Sequence, residues 1–532
     1  MTRFRFRFRK AAVSLDRGIL PAAVSAAAVL ERLPFVGKGH PWGDDFAEYF
    51  AQARAIVSGD VSGCIADFAY MTENSDVLLG PAAYPWGLPV CIAPFWRLFG
   101  LAPLVFKGVV LAFLALFAFG FARTAVSRFG RAVGSALSLA VLSIPVFVRH
   151  ADNVLSDVPF LCTSFFACLL ASRLFPRGDD TPRRRLSRAD LLESGCIGVL
   201  FFASCQFRTD GFILPMALVF ASLSVSLRRA FPENSVPRRI LGAIGVPAAW
   251  RIRETVVALS VFAVLTALSS LCLSVGGEGH AHVLFDATAE TVLGKAFFVI
   301  QMLPEYIGVE RHRWKFAIGL VVLSLSAVAA VANRKRDFFP LVFVSGVVTL
   351  AVWWPGLRGP RAFFCCIPWV ALWAAGLFGR LTGRNAAAGT AAALAFLFWF
   401  GLRLVSDWRS VRNESAFSES ALDAYRAVSR TLPRDAVVSF EKPRILYLMT
   451  GRLGVLRRDP ARIAEISDYA LVCRSIPFSA STGERLRQDG RFARTWTNGE
   501  FELWEKDVGA MPESAKAETS GTGAKTPGEP EE

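Results

Sequence analysis

Charge is scarce in this sequence. Asp, Glu, Lys and Arg make up 19% of its 532 residues, against 53% that are apolar. A soluble chain of this length would form roughly two to four domains, each needing far more polar surface than is available. An ordinary cytosolic enzyme and a disordered regulator are both excluded. The ten cysteines do not build a disulfide scaffold. Cys162, Cys168, Cys196, Cys205, Cys272, Cys365 and Cys366 lie in apolar runs, where Cys behaves as a small hydrophobe. Cys64, Cys91 and Cys473 lie at or near polar segments with no metal-site spacing. Histidines number only five, and the pair His280 and His282 is too weak a pattern to specify a metal. There is no internal repeat of fixed period. P-loop, GxGxxG, HExxH and serine-nucleophile motifs in a usable context are also lacking.

What the chain does have is long apolar runs, 45 phenylalanines and a net charge of +15. Together they indicate a polytopic α-helical membrane protein. About eleven segments suit a transmembrane helix of about 20 residues: 16–34, 101–122, 132–148, 158–175, 190–207, 212–227, 254–275, 316–332, 338–355, 361–379 and 385–405. With the N-terminus cytoplasmic, the inner loops hold about twice the Lys and Arg of the outer ones, as the positive-inside rule requires. The basic excess thus sets orientation and is no sign of nucleic-acid binding. Residues 290–310 are apolar but short and carry Lys295, Gln301 and Pro304, so they read as an interfacial or re-entrant helix on the outer face.

The predicted organisation is a basic cytoplasmic tail (1–15), a transmembrane catalytic domain (16–407), an extracytoplasmic α/β domain (408–508) and a disordered tail (509–532). A large first outer loop (35–100) lies within the transmembrane domain. In that loop, Phe46, Tyr49, Phe50, Ala53, Ile56 and Val57 have helical spacing, predicting an amphipathic helix along the membrane surface. Residues 82–100 form a Pro-punctuated return into the bilayer. In the C-terminal region, the runs at 435–440, 454–458, 468–474, 492–497 and 501–506 read as short strands. A helix is expected before the first of them, and another ending at Gly451.

Few residues are placed to carry chemistry. Asp44 and Asp45 open the outer surface helix; they suit helix capping, and equally a general base or a divalent-cation ligand. Asp157, before Pro159 in a short loop between spans, is either an N-cap or an intramembrane acid retained for use. Arg208 either pairs with Asp210 in a second short loop or turns into a cavity. Arg358 and Arg361, in another, suit a phosphate, or snorkel to lipid headgroups. Tyr84 in the return and His150 beside the Asp157 loop join the candidates for substrate contact.

In order and topology these elements resemble the GT-C superfamily of membrane glycosyltransferases. The likeness is to the branch of protein O-mannosyltransferases and lipid A aminoarabinose transferases. It rests on DDFAEYFAQARAIVSGD, YPWGLPVCIAPFWRLFG, SDVPFLCTSFFACLLASR, RTDGFILPMALVF and GPRAFFCCIPWVALW, followed by a C-terminal domain, and covers about residues 40–380. The resemblance implies inverting transfer of a sugar from a polyprenyl-phosphate donor to an acceptor hydroxyl on the outer face of a bacterial inner membrane. A divalent metal often assists. By spacing from Tyr49 the catalytic acid is Asp45; the family's following Glu is replaced by Phe46, leaving Asp44 as the second acid. Asp157 matches the second acidic position, and Arg358 and Arg361 the region that holds the lipid phosphate. A Lys expected after the first-loop motif in the aminoarabinose branch is absent from AAYPWG, which argues against that sugar. Neither sugar nor acceptor (protein, lipid or glycan) is specified. A flippase of isoprenoid-linked sugars would share the groove and arginines without needing paired acids; a non-catalytic scaffold would need neither cluster.

Overall fold

The computed structural model describes residues 18–77, 79–151, 153–175, 186–272, 288–309, 313–353, 360–411 and 415–507. They fall into two compact units. One draws on 1–38, 52–59 and 84–413, the other on 39–51, 60–83 and 414–532.

The first unit is helical. Among the described residues, eight helices are long and apolar enough to cross a membrane: Pro103–Phe129, Asp157–Leu174, Arg188–Phe207, Thr209–Ala230, Ile252–Leu271, Lys315–Asn333, Arg361–Leu381 and Ala386–Val405. The protein is therefore a multi-pass membrane protein. The other predicted spans are shorter helices. Residues 20–32 form one, and Phe338–Trp353 another. The span expected at 132–148 is two helices, Arg131–Leu142 and Pro145–Ala151. Pro145 has no N–H to continue the first ladder, so the helix ends ahead of it. Ala289–Met302 is a 14-residue helix that passes into a 3₁₀ turn, Leu303–Ile307, carrying Pro304. At about 1.5 Å per residue such a helix falls short of a hydrocarbon core about 30 Å thick.

Aromatic packing fills the centre of this unit. Phe165 meets Phe117 edge to face at 5.4 Å and also contacts Phe121 and Trp369. Phe147 meets Phe364 edge to face at 5.4 Å. Such pairs add to the dispersion gained where the hydrophobic effect between helices is absent. Leu268, Leu271, Val264, Leu325, Phe396 and Phe398 stay exposed, as lipid-facing positions do. Gly319 lets two helices touch: a Cβ there would lie 2.0 Å from the Ile300 carbonyl oxygen. Arg128 makes two 2.8 Å bonds to Asp337, which also accepts from the Trp373 indole at 3.2 Å. Asp337 is buried, so this bidentate pair ties three helices in a low dielectric.

The second unit is an α/β domain. Strands β1 (Val437–Ser439), β2 (Leu453–Val455), β3 (Tyr469–Cys473), β4 (Phe492–Thr497) and β5 (Phe501–Lys506) form one sheet in the order β2-β1-β3-β5-β4. β1 runs parallel to β2 and β3, while β5 runs antiparallel to β3 and β4. The helix Pro443–Thr450 joins β1 to β2 and stops at Gly451, which takes the left-handed conformation at φ 71°. Two helices not foreseen from the sequence, Pro460–Ile466 and Pro477–Asp489, bring Ile463 and Leu486 to a core with Ala470, Val472, Phe492 and Trp504.

Part of the first loop is built into this unit. The helix Val61–Glu73 packs Phe68 edge to face on Tyr447 at 5.4 Å, and the Tyr447 hydroxyl donates to Asp67 at 2.6 Å. Asp76 N–H donates to the Leu456 carbonyl at 2.9 Å, and Leu456 N–H to Ser75 Oγ at 2.9 Å. The helix Asp44–Ser58 departs from the expected amphipathic surface helix. Phe46 through Ala53 are buried on every face, the polar Glu48 and Gln52 included. Of these two polar side chains, Glu48 is held by the Arg444 guanidinium and Gln52 by the Tyr84 carbonyl.

Candidate functional site

In the first unit the short loops between helices converge on Asp157. The acid stands at the first position of its helix, with Ser156 at the N-cap and no side-chain capping bond there. Its carboxylate is 4% exposed and faces arginines. Arg208 Nη1 donates to Asp157 Oδ1 at 2.5 Å; Nε and Nη2 of the same guanidinium donate to Asp210 Oδ2 at 3.1 and 2.8 Å. Pairing with Asp210 and facing the site, set against each other in the sequence, are thus both satisfied by one side chain. Arg361 Nη1 stands 3.9 Å from Asp157 Oδ2 and is 35% exposed.

Local structure fixes these positions. Arg208 ends the helix Arg188–Phe207 with extended backbone, and a 3₁₀ turn, Thr209–Phe212, follows. That turn lies so close to the helix end that a Cβ at Gly211 would come within 2.5 Å of Cys205 N. Ser204 Oγ donates to Thr163 Oγ1 at 3.0 Å, joining the Arg208 and Asp157 helices one turn away from the charges. Arg361 rides on the 3₁₀ turn Pro360–Cys366. Phe364 on that turn contacts His150 at 5.5 Å and Tyr306 at 6.5 Å between ring centroids. Tyr306 belongs to the short 290–310 segment and was not singled out in the sequence.

Two acids and two arginines make the cluster neutral as it stands. Arg208 is spent on two carboxylates, whereas Arg361 stands at the limit of an ion pair with Asp157. Arg361 is the more exposed of the two guanidinium side chains, and its planar donors suit an anion.

In the second unit, Asp44 and Glu48 lie one helical turn apart on one face. Glu48 Oε2 is 2.8 Å from Arg444 Nη1, and neither side chain has any exposure. Arg444 also lies 5.7 Å from the Phe68 ring centroid and donates to the Pro81 carbonyl at 3.3 Å. Asp44 Oδ1 is buried without a hydrogen-bond partner. Burial pushes the Asp44 carboxyl up to about 6, and Asp45 and Glu441 add to the rise. Lys442 and Arg444 act against it. Helix capping takes no account of Glu48 and Arg444, neither of which the sequence reading selected; the acidic i, i+4 spacing of Asp44 and Glu48 was the available signal.

The remaining candidates divide. Gln52 Nε2 donates to the Tyr84 carbonyl at 2.9 Å, so it is the backbone of Tyr84 that is tied down. Asp45 lies in the first turn of its helix. Arg358, His280 and His282 fall outside the described residues. The nine described cysteines are free thiols.

The donor set does not fit a divalent metal. Both Asp157 oxygens face guanidinium groups, and the Asp44 carboxylate has Lys442 and Arg444 as neighbours. Among the described residues no three His, Cys, Asp or Glu side chains cluster as a metal site.

No family model matches the sequence, and no curated protein does either. Solved structures do. The chain is similar to ArnT from Cupriavidus metallidurans bound to undecaprenyl phosphate, with a TM-score of 0.56 and 14% identity, covering 93% of this chain and 99% of that one. It is also similar to the Archaeoglobus fulgidus oligosaccharyltransferase in complex with zinc and sulfate. There the TM-score is 0.51 and the identity 8%, over 91% of this chain and 73% of that one. The chain therefore shares the fold of these two solved membrane proteins.

Proposed function

We propose that the protein is a glycosyltransferase that moves a sugar, with inversion, from a polyprenyl-phosphate donor to an acceptor hydroxyl on the outer face of a bacterial inner membrane. The observation that carries this reading is the Asp157–Arg208–Arg361 cluster on loops between spans of a GT-C fold. Departure of a lipid phosphate develops negative charge, which a preorganised guanidinium stabilises. Arg361, with Arg358, is assigned to that phosphate. Asp157 and Arg208 set its position, and His150 and Tyr84 line the substrate path. Crystals of ArnT hold undecaprenyl phosphate, a ligand of the chemistry assigned here.

Asp45 is assigned as the base that takes the acceptor proton. Asp44 beside it is the second acid, its raised pKa reflecting burial next to a like charge. The test is transfer from a radiolabelled polyprenyl-phosphate sugar in proteoliposomes, with Asp45→Asn beside wild type. Wild type should form product, and Asp45→Asn should lose at least about a thousandfold while expressing normally. Full activity in Asp45→Asn would remove the assignment; lipid movement without product in wild type would favour a flippase instead.

A further inference from the structure

A second charged site stands in the α/β domain, apart from every residue given a role above. Glu502 on β5 has no exposure, yet three arginines from three other elements converge on it. Arg474, directly after β3, donates through Nη2 to Oε1 at 2.5 Å. Arg487, on the helix Pro477–Asp489, donates through Nη2 to both oxygens at 3.0 Å. Arg494, on β4, donates through Nη1 to Oε1 at 3.2 Å. A β-bulge aims the last of these: the register passes from Arg494 opposite Trp504 to Trp496 opposite Leu503. The extra residue leaves Arg494 level with Trp504, on the Glu502 face of β5. Bulges of this kind re-aim side chains beside sites.

One bidentate arginine satisfies a carboxylate. Three leave an excess of two positive charges. Among the described residues the other neighbouring acids make no ion pair with these three arginines. Glu500 accepts from the Ser420 and Ser475 hydroxyls, and Asp489 is held by Arg491 at 2.5 and 2.7 Å. Glu484, on the same helix as Arg487, makes no ion pair among the described residues. The guanidiniums are 45 to 50% exposed. Each spends a single terminal nitrogen on Glu502, so planar N–H donors remain for a ligand. Arg474 stands directly beyond the carboxyl end of β3, and Glu502 lies opposite Val472 near that end.

We propose that Arg474, Arg487 and Arg494 form a binding site for a doubly charged phosphoryl group, with Glu502 as the buried strut that holds the three guanidiniums in a fan. A phosphate monoester matches the charge excess and the planar donors. The group comes from a soluble phosphate or from a phosphorylated lipid headgroup. The inference does not depend on glycosyl transfer.

Calorimetry on the full-length protein in neutral detergent tests it, with pyrophosphate and short-chain phosphatidic acid as separate titrants. Wild type should bind at least one, more weakly as salt rises. Arg474→Gln/Arg494→Gln, which keeps Arg487 on Glu502, should weaken binding at least about tenfold at unchanged Tm. Arg491→Gln, outside the fan, should bind as wild type. Should the double variant lose Tm, Arg494→Gln alone should still weaken binding about threefold. Binding of pyrophosphate alone assigns a soluble phosphate; binding of phosphatidic acid alone assigns a lipid headgroup. No binding of either titrant, wild-type affinity in the fan variants, or equal weakening in Arg491→Gln would overturn the site. Asp45→Asn should bind normally, so loss of transfer and loss of anion binding are separable results.

Discussion

Arg208 holds Asp157 and Asp210 with one guanidinium, three N–H groups on two carboxylates. The first turn of one membrane helix is thereby locked to the turn that ends another. Removing Arg208 strands a buried carboxylate with only the distant Arg361. Arg208→Gln should cost about 3–5 kcal/mol, read as a lowered thermal midpoint in detergent. Arg208→Lys should recover part of the stability, since a point charge can reach one acid but not both.

Arg361 should behave differently, because its side chain is about twice as exposed as that of Arg208. Arg361→Gln should leave the thermal midpoint within about 2 °C and raise KM for the lipid donor at least about tenfold. Steady-state kinetics at varied donor concentration separates that from a loss in kcat.

The raised pKa of Asp44 gives a sign for pH dependence. Its folded-state pKa, about 6, lies above the ordinary aspartate range. The carboxylate therefore costs stability at neutral pH, and that cost is relieved as pH falls through 6. A rate that needs the ionised Asp44 moves the other way, rising with pH as the Asp44 carboxyl loses its proton near pH 6. Asp44→Asn should remove the like charge next to Asp45. The acid limb of kcat/KM should then shift to lower pH, and thermal stability at pH 7 should rise by about 1 kcal/mol.

Glu48 and Arg444 are an ion pair with no exposure on either side. Glu48→Gln or Arg444→Met alone should destabilise the α/β unit by about 3–5 kcal/mol, because each leaves one buried charge. Limited proteolysis of the C-terminal region would register it. Glu48→Leu/Arg444→Met should recover most of the loss.

Parts of this fold are legible in the sequence because their causes are local. Five strands and the helix stop at Gly451 follow from short apolar runs punctuated by Gly and Pro. Other parts needed only a closer look at local signals. Asp459 caps Pro460–Ile466 through the Ala461 and Arg462 N–H groups, a capping pattern with Pro at the first helical position. Pro145 likewise announced a helix break. What could not be read locally is the partner of a buried charge. Arg444 carries no mark that joins it to Glu48, nor Arg128 one that joins it to Asp337. Asp157, Arg208 and Arg361 could be singled out individually as expensive charges at membrane depth, and only the packing of three loops shows that they share one cluster. The apolar stripe of the 44–58 helix was visible, but its polar stripe was assigned to water, since sequence spacing cannot tell solvent from a buried counter-ion.

The incorporation of 39–51 and 60–83 into the sheet domain has a consequence for biogenesis. The ribosome releases these first-loop segments hundreds of residues before it makes the strands they pack against. Until translation has passed Tyr447, Phe68 and Glu48 lack the ring and the guanidinium they pack against, and closing those contacts means joining segments far apart in sequence. The loop must wait in an unfinished state, its apolar face open to chaperones and to the bilayer surface. A truncated chain would insert its helices and still never assemble the acidic end of the first loop. In the proposed enzyme, completion of synthesis would itself be the step that arms the site.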